Sequence, residues 1–155
     1  MTYVLAEIGA KALYLVYIWL LSAISASELS RSKGYGEKAG LGTGLLLPYV
    51  MEYNRPAREA VLAEIALALA DGLGTAVADP VAVVHELGAR IGLPSSLAEL
   101  DLPREDLPRL ARESVGIKRL IDNNPRPLDV DALEAILTAA WHGDPAHLAA
   151  PTVPA

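Results

Sequence analysis

Cysteine is missing from this 155-residue chain, and so is phenylalanine. The first absence removes disulfides, thiolate nucleophiles and cysteine-based zinc sites. The second leaves a core built from aliphatic side chains, with only 2 Trp and 6 Tyr available as large anchors. Long runs of Val, Ile and Thr are lacking as well, which argues against sheet. Basic clusters are scarce. The net charge is −6, and no Lys/Arg stripe runs along one face, which argues against nucleic acid as the main partner. Hydrophobic residues make up 52% and charged residues 21%, the balance of a globular rather than a disordered chain. Ala and Leu dominate, and both favour helix. Together these features predict an all-α helical bundle of about six or seven helices, counted by their capping signals.

Residues 2–30 read as one long helix, apolar on almost every side beyond Lys11. Within it, residues 12–26 are nearly all apolar. That stretch is shorter than the span of about 20 apolar residues a membrane requires, so a membrane role is not expected. Its outline also fits a secretion signal, and loss of residues 1–26 would then export the chain. The expectation adopted is a buried helix in a cytoplasmic protein, with a surface that can meet a second copy or a partner chain. Residues 32–44 hold five glycines, Gly34, Gly36, Gly40, Gly42 and Gly44, and read as a loop separating residues 1–31 from a domain over 45–143. No strand precedes this loop and no Gly-Lys-Ser/Thr closes it, which speaks against a phosphate cradle. Residues 144–155, rich in Pro and Ala, read as a frayed tail.

Inside the domain, residues 45–53 form a short helix containing Pro48, and Asn54-Arg55-Pro56 breaks it. Pro56 starts a helix to Ala70 with Val61, Ile65, Ala68 and Leu69 at helical spacing. Asp79-Pro80 starts another, with Val81, Val84, Leu87 and Ile91 as its buried stripe and Gly92 as its end. Ser95 or Ser96 opens a turn with Glu99 placed as in a capping box. Residues 101–106 start a helix to Ser114, and one further turn follows Gly116. Asp129 caps a last helix through Trp141, with Leu133, Ile136, Leu137 and Ala140 inward, and Gly143 closes it.

Three segments taken in order carry a resemblance: Leu45-Leu46-Leu47-Pro48-Tyr49-Val50-Met51-Glu52-Tyr53-Asn54; Ile91-Gly92-Leu93-Pro94 with Leu97-Ala98-Glu99-Leu100 and Pro103-Arg104-Glu105-Asp106; and Asn124-Pro125-Arg126-Pro127 before the last helix. From about residue 40 to 143 the chain resembles the C-terminal helical domain of the iron-containing (group III) alcohol dehydrogenases. The resemblance implies hydride transfer between NAD(P) and an alcohol or aldehyde. It also implies a divalent metal, iron or zinc, held by one Asp and three His as a Lewis acid, and a nucleotide-binding domain that this chain does not contain.

The resemblance places a Pro-His-Gly triplet at Lys38-Ala39-Gly40 and two histidines between Ser25 and Leu29, where this chain reads Ser25-Ala26-Ser27-Glu28-Leu29. For the Asp ligand there is no convincing counterpart; Glu7 is the only acidic residue before Glu28. No catalytic or metal-binding residue is therefore assigned, and no cofactor is expected for this chain alone. His85 reads as a packing or surface residue, and His142 and His147 as solvated, since a metal site needs three or four converging ligands. Arg126 could reach a phosphate. The prolines on both sides, with Asn124, instead favour a rigid turn, and Glu52, Tyr53 and Asn54 read as structural. The expected role is the C-terminal portion of a dehydrogenase, incomplete or inactive in isolation; the alternative is a non-catalytic interaction module built on the apolar first helix.

Overall fold

The computed structural model describes residues 38–74 and 76–148, and every regular element within them is helical. The readings for residues 1–37, including the apolar stretch 12–26, and for residues 149–155 lie outside this description.

Helix α1 spans Lys38–Leu73. Residues 38–44, expected as part of the loop, are instead its first two turns. The reason is packing. A Cβ placed on Gly44 would come within 3.0 Å of Leu93 Cδ1, so glycine here serves close approach rather than chain freedom. The break expected at Asn54-Arg55-Pro56 falls at Arg58, the only residue in α1 with non-helical dihedrals (φ −139°, ψ 26°). Beyond the kink the buried residues are Leu62, Ala66 and Ala70, four apart on one face. Val61, the first position of the expected pattern, is exposed.

Helix α2, Pro80–Arg90, begins as its sequence signals predict. The Asp79 carboxylate accepts hydrogen bonds from the amides of Val81 (2.8 Å) and Ala82 (3.1 Å). It ends in a Schellman turn: Gly92 adopts φ +84°, its amide bonds Ala89 O, and the Leu93 amide bonds Gly88 O. Its buried face differs from expectation. Val81 is buried, but Leu87 is 39% and Ile91 68% exposed. At about 100° per residue, Val81, His85 and Gly88 share a face, and it is these, with Val84, that turn toward α1. Leu87 and Ile91 fall on the flank.

Short 3-10 turns at Ala98–Leu100 and Arg104–Asp106 lead into α3, Leu107–Val115, with Pro108 in its first turn. A single turn, α4 at Lys118–Ile121, follows Gly116. After Asn123–Pro127, which are not helical, α5 runs over Val130–His142. Asp129 caps it through the Ala132 amide at 2.8 Å, and Gly143, at φ +78°, ends it. The tail is ordered further than expected. Residues Pro145–Leu148 form a 3-10 turn against α1 and α5, with Leu148 laid on the core.

Leu45 and Tyr49 of α1, Leu97, and Ile136, Ala139 and Ala140 of α5 make the central cluster. Among the described residues Tyr49 is the largest fully enclosed side chain, the anchor that a chain without Phe must take from elsewhere. The Leu97 amide bonds Ala140 O (2.9 Å) and Trp141 Nε1 donates to Leu102 O (3.0 Å), which ties the 95–102 stretch to α5. Among the described residues no helix is long and apolar enough to cross a membrane.

Candidate functional site

Two of the segments singled out in the sequence meet in space at the kink of α1. Asn54, 8% exposed, and Asn124 exchange two side-chain hydrogen bonds of 2.9 Å each. The second Asn124 amide hydrogen turns back to Arg126 O at 2.7 Å. Arg126 donates to Tyr53 O, and its guanidinium lies over the Tyr53 ring, 4.1 Å from the centroid. The Tyr53 hydroxyl donates to Pro127 O at 2.5 Å. Asn124 and Arg126 thus spend their hydrogen bonds on backbone and on one another. This is the rigid turn that the flanking prolines predict.

One turn of α1 earlier, the buried Glu52 carboxylate receives Arg55 Nε (2.9 and 3.0 Å) and Nη2 (2.6 Å). Arg55 Nη2 also lies 2.8 Å from Asp79 Oδ2. The hydrogen bond to Glu52 is the main force raising the Arg55 pKa further. At Asp79 burial pushes the carboxyl pKa up, but the Ala82 and Val81 amides and Arg55 outweigh it, and the net shift is downward. Arg55 thereby couples the kink of α1 to the cap of α2. The i,i+3 spacing of Glu52 and Arg55 was the one visible sign of this network; its extension to Asp79 was not.

Tyr49 and His85 face each other between α1 and α2, ring centroids 6.1 Å apart and nearly perpendicular. The Tyr49 hydroxyl donates to Ser95 O at 3.2 Å. Its pKa is pushed up to about 12, by burial first and then by the charges of Asp144 and Glu99. His85 packs as expected. Its Nε2 is buried, without a protein hydrogen-bond partner, beside a cavity of about 20 Å³ that Gly44, Pro48, Gly88 and Leu93 help to line. That is room for one water and no larger ligand. Nearby, the Glu99 amide bonds Ser96 Oγ at 3.3 Å as the expected capping box requires, but its carboxylate takes the Ser95 amide (3.1 Å) and hydroxyl rather than the Ser96 amide, so the box is shifted by one residue. His142 and His147 stack at 5.4 Å on the exposed end of α5, and His147 Nδ1 lies 3.1 Å from Asp144 Oδ2.

Residues 34–141 match the Fe-containing alcohol dehydrogenase family, C-terminal. The chain belongs to that family. A maleylacetate reductase of Pseudomonas knackmussii is 35% identical over 103 residues, covering 65% of this chain and 26% of the relative. Maleylacetate reductase 1 of Cupriavidus pinatubonensis is 33% identical over 102 residues, 64% of this chain and 25% of the relative. Long-chain-alcohol dehydrogenase 1 of Geobacillus thermodenitrificans is 33% identical over 109 residues, 67% and 28% respectively. The chain thus spans about a quarter of the length of these curated relatives. No solved structure matches. The family match covers both halves of the Asn54–Asn124 junction, so this junction is part of the family's helical domain here.

The family is iron-containing, so the fit of these residues to a metal matters. The resemblance places the Pro-His-Gly histidine at Ala39, in the first turn of α1, and a methyl group offers no lone pair. The stretch 25–29, which lies outside the described residues, contains no histidine in its sequence. Among the described residues no group of three or more His, Cys, Asp or Glu is placed to hold an ion. Among the described residues the donor set does not fit the metal.

Proposed function

We propose that this chain is the helical, C-terminal portion of an oxidoreductase of the Fe-containing alcohol dehydrogenase family, and that it turns over no substrate by itself. The observation that carries this reading is the family match over residues 34–141, set against chain coverage of only 26% of a maleylacetate reductase. The fold supports it: among the described residues, the segments that carry the likeness are bonded together as one helical unit. In a complete enzyme of this family NAD(P) would serve interconversion of an alcohol and a carbonyl compound. The nucleotide would be held mainly by a separate α/β domain.

The test is a purified full chain incubated with NADH or NADPH and maleylacetate, and with NAD(P)+ and long-chain primary alcohols. The expected result is no change in nicotinamide absorbance above a protein-free blank. Turnover that scales with the amount of chain would overturn the proposal. From their sequence alone, we propose the apolar residues 12–26 as the segment by which the chain meets a second copy or another chain. Sedimentation of the intact chain against an Ile18→Asp/Leu21→Asp variant tests this, with a single monomeric species for both as the result that removes it.

A further inference from the structure

We infer that this chain has lost the metal centre of its family and that its helical domain folds and stays folded without an ion. The inference rests on the family assignment but concerns the residues of this chain alone. A divalent ion at an N/O site needs three or four converging donors with free lone pairs. The whole chain has three histidines and no cysteine. They do not converge. His85 stands edge-on to Tyr49 between α1 and α2 with its Nε2 enclosed, whereas His142 and His147 stack on the exposed end of α5.

Three carboxylates beside the packed faces of α1 and α2 are committed elsewhere. Glu52 is bound bidentately by Arg55, Asp79 caps α2 and meets Arg55, and Glu99 holds Ser95. An ion drawing on Glu52 or Asp79 would have to displace a guanidinium. At the positions where the resemblance implies histidine, Ala39 and the stretch Ser25 to Leu29, this chain carries none.

The start of α1 shows what stands instead. Gly42 and Gly44 bring the helix against Leu100 and Leu93, a contact made by shape and apolar surface rather than by ligation. An ion that binds only the native state stabilises it in proportion to the logarithm of its concentration over Kd, so a folded state independent of any ion is measurable as an absence of that linkage.

The experiment uses the full chain, confirmed helical by circular dichroism. It is incubated with ferrous iron under anaerobic conditions or with zinc, desalted, and analysed for metal by mass spectrometry. In parallel its melting temperature is measured with added ion and with chelator. The expected result is far less than one ion per chain and a melting temperature that neither ion nor chelator moves. Near-stoichiometric iron or zinc that survives desalting, or a melting temperature that falls with chelator, would overturn the inference. A His142→Ala/His147→Ala variant that loses such an ion would locate it on the α5 end and overturn it equally. Metal content is independent of turnover: a metal-free chain that oxidises NADH would defeat the proposed inactivity and leave this inference standing.

Discussion

The side-chain amides of Asn54 and Asn124, 70 residues apart in sequence, face each other and satisfy one another's oxygen and nitrogen. Asn54 lies on the kinked helix and Asn124 in the turn before the last helix, so this pair fixes where the second half of the domain docks on the first. Leaving one amide of a buried pair without its partner costs about 1–3 kcal/mol. Asn54→Ala and Asn124→Ala are each expected to destabilise by an amount in that range, with Asn124→Ala the larger because it also loses the bond to Arg126 O. The double variant should cost less than the sum. Urea unfolding of the four proteins checks this; strict additivity would mean the two amides act independently.

Asp79 performs two tasks that substitution can separate. Asparagine keeps an acceptor for the Val81 and Ala82 amides but gives up the charge that meets Arg55. Alanine loses both. Removing an N-cap side chain costs about 0.5–2 kcal/mol. Asp79→Ala is expected within that range, and Asp79→Asn at a fraction of it. The folded pKa of Asp79 lies below its ordinary value, so its contribution is present above the unfolded pKa and is lost as pH falls through the folded one. The difference between wild type and Asp79→Ala should therefore shrink in acid. A difference that is constant from neutral pH to well below the usual Asp range would refute the linkage.

Tyr49 predicts the opposite slope at high pH. Its hydroxyl is held neutral by burial, with a pKa raised from 10.0 to about 12. A phenol whose folded pKa is raised stabilises fully below its unfolded pKa, and that contribution falls as pH rises from 10.0 toward about 12. The wild type should lose stability across this window, and Tyr49→Phe should lose less of it. At neutral pH Tyr49→Phe forgoes one hydrogen bond to Ser95 O, worth about 0.5–1.5 kcal/mol. Chemical denaturation at a series of alkaline pH values distinguishes the two proteins. Parallel curves would show that Tyr49 does not titrate in this range.

The helix ends were legible because they depend on local chemistry. Asp79-Pro80, Gly92, Asp129 and Gly143 stop or start helices where their side chains and dihedrals require, and the structure places them so. The faces were less legible. Spacing alone allowed Val81, Val84, Leu87 and Ile91 to be the buried stripe of α2, but the partner helix chose the neighbouring face, because His85 and Gly88 fit the surface of α1 around Pro48 and Tyr49. The glycines at 40, 42 and 44 misled for a related reason. At Gly44 the low helix propensity is overridden because the missing side chain admits Leu93. At the Asn124–Arg126 turn, local chemistry announced the rigid bend. Nothing local announced that Tyr53 and Asn54 would receive it, since that pairing exists only through space.

Three glycines in different settings provide a graded test of what each is for. Gly143 has φ +78°, and a Cβ there would lie 3.3 Å from both Ser95 O and Ser96 Cβ. Gly92 has φ +84° but open space around it. Gly72, within α1, has ordinary dihedrals and nothing within 4 Å. A left-handed conformation costs a residue with a side chain about 1–2 kcal/mol, so Gly92→Ala should destabilise by that much. Gly143→Ala should cost more, because the 95–96 backbone it would push against is tied to α5 through the Leu97 amide and Ala140 O. Gly72→Ala should stabilise by about 0.4–1 kcal/mol through the lower entropy of the unfolded chain. The expected order of melting temperatures is Gly72→Ala, wild type, Gly92→Ala, Gly143→Ala. Equal losses at 92 and 143 would mean that the 95–96 turn yields to the added methyl, and that the end of α5 is held less firmly than its hydrogen bonds imply.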